Sequence, residues 1–94
     1  EHDADDNEEL MKKISKNKII ANASYKISDL EKQFDIKIDL KDQEEIDTVG
    51  GLLFFIANKV PKNNQIYDFK NILKFKVINA SARRIESIEI TKLV

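Results

Sequence analysis

The stretch Leu73-Lys74-Phe75-Lys76-Val77-Ile78-Asn79-Ala80-Ser81-Ala82-Arg83-Arg84-Ile85-Glu86-Ser87-Ile88-Glu89-Ile90-Thr91 holds two β-patterned runs around a polar turn. Leu73, Phe75 and Val77 alternate with Lys74 and Lys76, the period-2 signature of a strand with one buried face. Asn79 to Ala82 supplies turn formers, so residues 72–79 are expected to pair antiparallel with residues 83–91. Ile88 and Ile90 share one parity while Ile85 has the other, and strict alternation would expose Ile85. A bulge near Glu86-Ser87 is therefore expected. Upstream, Ile66-Tyr67-Asp68-Phe69 reads as a further strand, which gives three in the C-terminal third.

Before these strands lies a helix pattern. Thr48 can cap a helix that runs to about Asn58, with Pro61 barring continuation and biasing Val60 toward extended geometry. Val49, Leu52, Leu53, Ile56 and Val60 fall on one stripe, and Phe54, Phe55 and Ala57 flank it, so the helix is expected to be deeply buried. Gly50 and Gly51 each cost a helix interior roughly 0.5–1 kcal/mol. Such a pair is tolerated where a side chain would block another element, and Gly50, Gly51, Phe54 and Phe55 are read as packing or interaction residues.

The N-terminal half is less regular. Asp6 and Glu9 have capping-box spacing and precede Leu10, Met11 and Ile14, which predicts a short helix over 7–16. Residues 18–23 form a β-branched strand run. Ser28-Asp29-Leu30-Glu31 repeats the capping-box spacing, with Leu30 and Phe34 as an i, i+4 pair of a second short helix. Ile36, Ile38 and Leu40 alternate with Lys37 and Asp39 as a strand edge would, and Asp42 to Glu45 reads as loop. The class is α+β, a small antiparallel sheet with packed short helices.

With 94 residues there is room for one core, and the absence of Cys removes disulfides, thiolate metal sites and cysteine nucleophiles. No apolar run approaches the ~20 residues of a membrane span, so the fragment is expected to be soluble without inserting into a bilayer. Six of the 17 acids, Glu1, Asp3, Asp5, Asp6, Glu8 and Glu9, precede the first base, Lys12. Residues 1–6 read as an acidic linker remnant and 7–94 as the domain. The remaining 16 bases against 11 acids leave +5 over residues 10–94. Those lysines are spread along the chain rather than interleaved with aromatics, so a nucleic-acid partner is not expected.

Catalytic chemistry finds little material. The sole His, His2, lies in the acidic arm, and no Ser-x-x-Lys or nucleophile-elbow context occurs, so no enzyme is expected. Asp3, Asp5 and Asn7 match the first ligands of a calcium loop, but Glu8 stands at the obligatory glycine and Ile14 at the twelfth position, so no metal site is expected. Arg83 and Arg84 could grip a carboxylate or phosphate. The structural alternative for them is pairing with a nearby acid or covering apolar surface.

The ordered series Asp47-Thr48-Val49-Gly50-Gly51-Leu52, Val60-Pro61, Leu73-Lys74-Phe75-Lys76-Val77-Ile78 and Arg83-Arg84-Ile85 resembles the transporter-associated domain at the C-terminus of CorC/HlyC-type proteins. The likeness spans nearly the whole chain. It departs at the turn, where the family commonly has Gly before the Arg pair and this chain has Ser81-Ala82.

The resemblance implies an accessory domain beside paired CBS domains, at the cytoplasmic face of a membrane-anchored parent. That parent would export magnesium and cobalt, regulate a transporter, or act as a hemolysin. It also implies a fold likened to part of the PCMH-type FAD-binding domains. FAD enters only through that likeness, because a dinucleotide needs a glycine-rich amide cradle and a large cleft, so no bound cofactor is expected. Two readings follow: a regulatory module docking on its parent's CBS pair and membrane region or on a second copy, and a sensor of an adenine nucleotide or flavin near Arg83 and Arg84.

Overall fold

The computed structural model describes residues 10–40 and 45–94. Five strands form one antiparallel sheet: β1 (Met11–Ser15), β2 (Lys18–Asn22), β3 (Ile66–Phe69), β4 (Leu73–Ala80) and β5 (Ile85–Lys92). Their spatial order is β1-β2-β5-β4-β3, so β5 lies at the centre although it is last in sequence. Helices α1 (Ile27–Phe34) and α2 (Val49–Ala57) are inserted between β2 and β3. The class is α+β, as the alternating C-terminal patterns imply.

Alternation decides which face is covered. Ile19 and Ala21 of β2, Leu73, Phe75 and Val77 of β4, and Ile88 and Ile90 of β5 are buried, together with Leu30, Phe34, Val49, Leu52 and Leu53 of the helices. The other face carries the complementary parity: Lys12, Ile20, Glu89, Lys76 and Ile66 stand in one cross-strand row, and Lys18 pairs with Glu89 at 3.9 Å.

The β4–β5 hairpin contains two offsets. Val77 opposes Ile88, Asn79 opposes Ser87, and Ala80 opposes Ile85, so Ile78 is the extra residue on β4 and Glu86 the extra residue on β5. The second is the bulge expected from the parity of Ile85, which is buried as required. Its counterpart at Ile78 restores the register, and Ile78 is left 38% exposed.

Several local expectations are overturned. The helix over 7–16 is contradicted for its described part: Met11–Ser15 is an edge strand, pairing Met11 with Ala21 and Lys13 with Ile19. Helical spacing in so short a segment yields to the open edge of β2, and the Leu10 carbonyl accepts from Asn22 N at 2.7 Å to extend the pairing. The linker reading of residues 1–6 lies outside the described residues, as does most of the acidic loop at 42–45.

Helix α1 begins at Ile27, one residue before its expected cap, Ser28. Lys26 is the N-cap residue without a side-chain cap bond. The start is set instead by Ile27 N donating to Asp47 O at 2.9 Å and by a bridge between Lys26 and Thr48. Glu31, assigned to a capping box, accepts from Ile38 N at 2.7 Å. The segment 36–40 forms no strand. After Asp35 closes α1 at φ 54°, the main chain bonds back to Glu31 while Ile38 is buried and Ile36 and Leu40 pack on the core. Apolar alternation there serves packing without a ladder.

Helix α2 starts as expected: Thr48 Oγ1 accepts from Gly51 N at 3.1 Å, and Asn58 ends the helix at φ 61°. The expectation of burial all round is corrected. Val49, Gly50, Leu52 and Leu53 are buried, but Phe54 and Phe55 remain 50% and 49% exposed. A helix on one face of one sheet has a single layer to pack against.

Candidate functional site

Three pieces of chain meet at the start of α2: the end of β2, the first helical turn, and the β4–β5 turn. Ala23 N donates to Glu86 O at 2.9 Å, carrying the β2–β5 ladder one residue further. Gly50 N then donates to Ala23 O at 2.8 Å, and Val49 N to Tyr25 O at 2.9 Å. This contact explains the first glycine. A Cβ at Gly50 would lie 2.6 Å from Ala23 Cβ and 2.8 Å from its carbonyl oxygen, too close for any side chain without backbone movement. The close-approach reading does not extend to Gly51, whose Cβ would meet only Thr48 Oγ1 at 3.2 Å and Ile46 Cγ2 at 3.6 Å.

The first-turn amides of α2 are all engaged. Val49 and Gly50 bond to the β2–α1 segment, Gly51 to the Thr48 hydroxyl, and Leu52 to Thr48 O. A helix N-terminus binds anions when its N–H groups are free, and these are not.

The β4–β5 turn is built on Ser81. Its hydroxyl oxygen accepts from Arg83 N and Arg84 N, both at 3.2 Å, and its own N–H donates to Arg84 O at 2.9 Å. Ser81 therefore closes the turn between β4 and β5 through its own hydroxyl and amide. Arg84 Nε bonds Glu86 Oε2 at 3.2 Å, so the acid-pairing alternative holds for that residue. The Arg83 side chain has no partner among the described residues.

Between these pieces lies a cavity of about 520 Å³ lined by Asn22, Ala23, Ser24, Thr48, Gly50, Gly51, Phe54, Val60 and the run 83–86. The sequence-selected Gly50, Gly51, Phe54, Arg83 and Arg84 thus converge on one space. Phe55 does not line it. Beyond Val60 a second cavity of about 540 Å³ is lined by Val60, Pro61, Lys62, Asn63, Ala80, Ser81 and Ala82. The two share Val60 and flank the same turn. The sequence reading places Val60 on the apolar stripe of the helix and Pro61 at its stop, and it singles out neither Lys62 nor Asn63. Adjacency to a turn that closes against a distant strand leaves no local signal.

Titratable chemistry is sparse. Tyr25, beside the helix start, has its pKa raised by burial and by the nearby Asp29 carboxylate. Among the described residues no group of His, Cys, Asp or Glu has the arrangement to hold a metal ion, and no helix is long and apolar enough to cross a membrane.

Comparison with known proteins gives this geometry its context. Residues 12–94 match the CorC_HlyC transporter associated domain. The magnesium and cobalt efflux protein CorC of Vibrio cholerae is 30% identical over 92 residues, 97% of this chain and 30% of that protein. A hemolysin C homolog of Rickettsia conorii is 30% identical over 90 residues, 96% of this chain and 30% of the relative. The chain spans less than a third of the length of these relatives. In fold, it is similar to the transporter associated domain from a CBS domain protein of Porphyromonas gingivalis, with a TM-score of 0.74, 21% identity, and coverage of 90% of this chain and 99% of that one. With the D-T-V-G-G helix start, the buried β4 and the Arg pair all in place on this fold, the chain belongs to the CorC_HlyC transporter associated domain family.

Proposed function

We propose that this domain is a non-enzymatic accessory module that regulates a CorC/HlyC-type cation-efflux or hemolysin-like protein by docking on the rest of its parent at the cytoplasmic face of the membrane. The observation that carries this reading is the pair Phe54 and Phe55. Consecutive on α2, each ring is half exposed, and exposed aromatic side chains of this kind are the ones that docking partners cover. The names of the relatives support the efflux or hemolysin setting. The Porphyromonas neighbour comes from a CBS domain protein, which supports a parent that carries CBS sequence for this domain to dock on.

The test is made in the full-length parent. Removing this domain is expected to change magnesium or cobalt efflux, or its set point, while leaving membrane insertion intact. F54S/F55S is expected to reproduce that change without unfolding the domain, since neither ring belongs to the buried core. Unchanged flux in both variants across a range of magnesium concentrations would overturn the proposal.

A small-ligand sensor is the second reading, favoured by the unpartnered Arg83 at a cavity of about 520 Å³. It is the weaker one for a nucleotide or flavin. The first-turn amides that would cradle a pyrophosphate are already bonded within the domain.

A further inference from the structure

The cavities on either side of Val60 differ from a single pocket in shape and in charge. One lies between the first turn of α2 and residues 83–86, the other between residues 60–63 and 80–82, and the β4–β5 turn forms a wall of both. Sharing Val60 and the turn as walls, the two open cavities lie side by side and together make up a track around Val60. Its floor and walls are apolar at Phe54, Val60, Pro61 and Ile85. Its charged groups are Arg83, Arg84 and Lys62 against the single acid Glu86, a net of +2.

Two of those cations are uncommitted. Arg84 is held by Glu86, whereas the side chains of Arg83 and Lys62 have no partner among the described residues. Nor is Arg83 stacked on Phe54: among the described residues the one cation over a ring is Lys70, above Phe69 at 5.3 Å. The Phe54 ring and the Arg83 guanidinium therefore present separate apolar and cationic contacts to the same cavity. With the amides of α2 engaged, recognition there falls to side chains, which suits carboxylates spaced along an extended chain better than a compact polyphosphate.

We propose that the track around Val60 binds an extended acidic peptide segment with interspersed apolar residues, supplied by the part of the parent that lies outside this chain. This rests on the docking reading above and names its chemistry. Apolar side chains of the segment pack against Phe54 and Val60 while its carboxylates meet Arg83 at one end and Lys62 at the other. The relatives are more than three times as long as this chain, so there is ample parent sequence to provide it.

The experiment titrates the 15N-labelled 94-residue chain with a synthetic octapeptide of alternating glutamate and leucine, with an alternating lysine–leucine octapeptide and ADP as comparisons. The acidic peptide is expected to shift amides at 22–24, 62–63 and 81–86. R83E and K62E, both on exposed side chains, are each expected to weaken it about tenfold, while the lysine peptide leaves the spectrum unchanged. Equal response to both peptides, insensitivity to R83E and K62E, or shifts confined to Lys12, Lys74 and Lys76 on the opposite sheet face would overturn the proposal. So would binding of ADP alone, which returns the site to a small ligand. Absence of peptide binding together with Phe55-dependent docking on the parent would remove the track and leave the docking reading standing.

Discussion

Replacing Gly50 with alanine should destabilise the domain even though alanine is the better helix former. Neither glycine has a positive φ, so alanine is compatible with the backbone at both positions and sterics alone decides the sign. Propensity favours the substitution by about 1 kcal/mol. Against it, the new methyl would sit 2.6 Å from Ala23 Cβ, 2.8 Å from Ala23 O and 3.2 Å from Ala23 Cα. Two of these three atoms are backbone held in the β2–β5 ladder, so α2 must move. Overpacking of this kind costs about 1–3 kcal/mol. The movement also lengthens the 2.8 Å bond from Gly50 N to Ala23 O, at a further cost of roughly 1 kcal/mol. The balance is a loss of about 2 kcal/mol, which for a domain of this size lowers Tm by roughly 10 °C. G51A is the control. Its methyl meets only a hydroxyl at 3.2 Å and a side-chain methyl at 3.6 Å, and its stability should stay within about 1 kcal/mol of wild type. Thermal and urea unfolding of the three proteins would decide it: a G50A domain as stable as wild type refutes the close-approach account.

Thr48→Ala removes the hydroxyl that accepts from Gly51 N and should cost about 1 kcal/mol in urea unfolding, while Thr48→Ser should recover most of it. Ser81→Ala leaves the amides of Arg83 and Arg84 without their shared acceptor. A loss of roughly 1 kcal/mol is expected, with faster amide hydrogen exchange confined to 82–84. Tyr25 has a folded-state pKa raised by burial and by Asp29, so above its ordinary value near 10 the unfolded chain releases this proton first and stability falls as pH rises. Below that value Tyr25 leaves stability independent of pH. Tyr25→Phe should therefore show a smaller drop in urea midpoint between pH 8 and pH 10.5 than wild type, the lysine contribution being common to both.

Legibility in the sequence follows how local the deciding interactions are. The β4–β5 hairpin was readable because alternation and turn formers sit within twenty residues of each other, and the parity of Ile85 located the Glu86 bulge. Its companion at Ile78 was not readable, since Val77 and Asn79 show no break until the partner strand is known. Thr48 announced α2 through a bond three residues away. By contrast, α1 begins where Asp47 O captures Ile27 N, twenty residues distant, and no capping pattern records that. β1 was misread as helix because five residues carry too few positions to separate a 3.6-residue period from a period of 2, and the unpaired edge of β2 settled the matter. At the site, residue types pointed to Gly50, Phe54 and the Arg pair. That they face one cavity, and that Phe55 does not, depends on where β2 ends.

The groove owes its shape and its charge to different residues, and this separation bears on how it can work. Shape comes from backbone bonds: Gly50 to Ala23, Ala23 to Glu86, and the Ser81 hydroxyl spanning the turn. The Glu86 bulge turns Ile85 inward, while the Ser81 turn, which holds the amides of Arg83 and Arg84, keeps both residues in the cavity lining ahead of the ladder. None of these bonds involves a side-chain charge. Arg83 and Lys62 contribute charge from exposed positions, so replacing them alters what the groove attracts while the frame persists. Changes at the exposed cations alter the charge of the groove, whereas a change at Gly50 or Ala23 disturbs the contact that gives it its shape. The half-exposed Phe54 sits on the boundary between the two sets: its backbone carbonyl accepts from Asn58 N at 2.8 Å to close α2, and its ring lines the cavity. A substitution that keeps the helix but loses the ring separates the proposed docking from folding, and at Phe54 that separation can be measured in one protein.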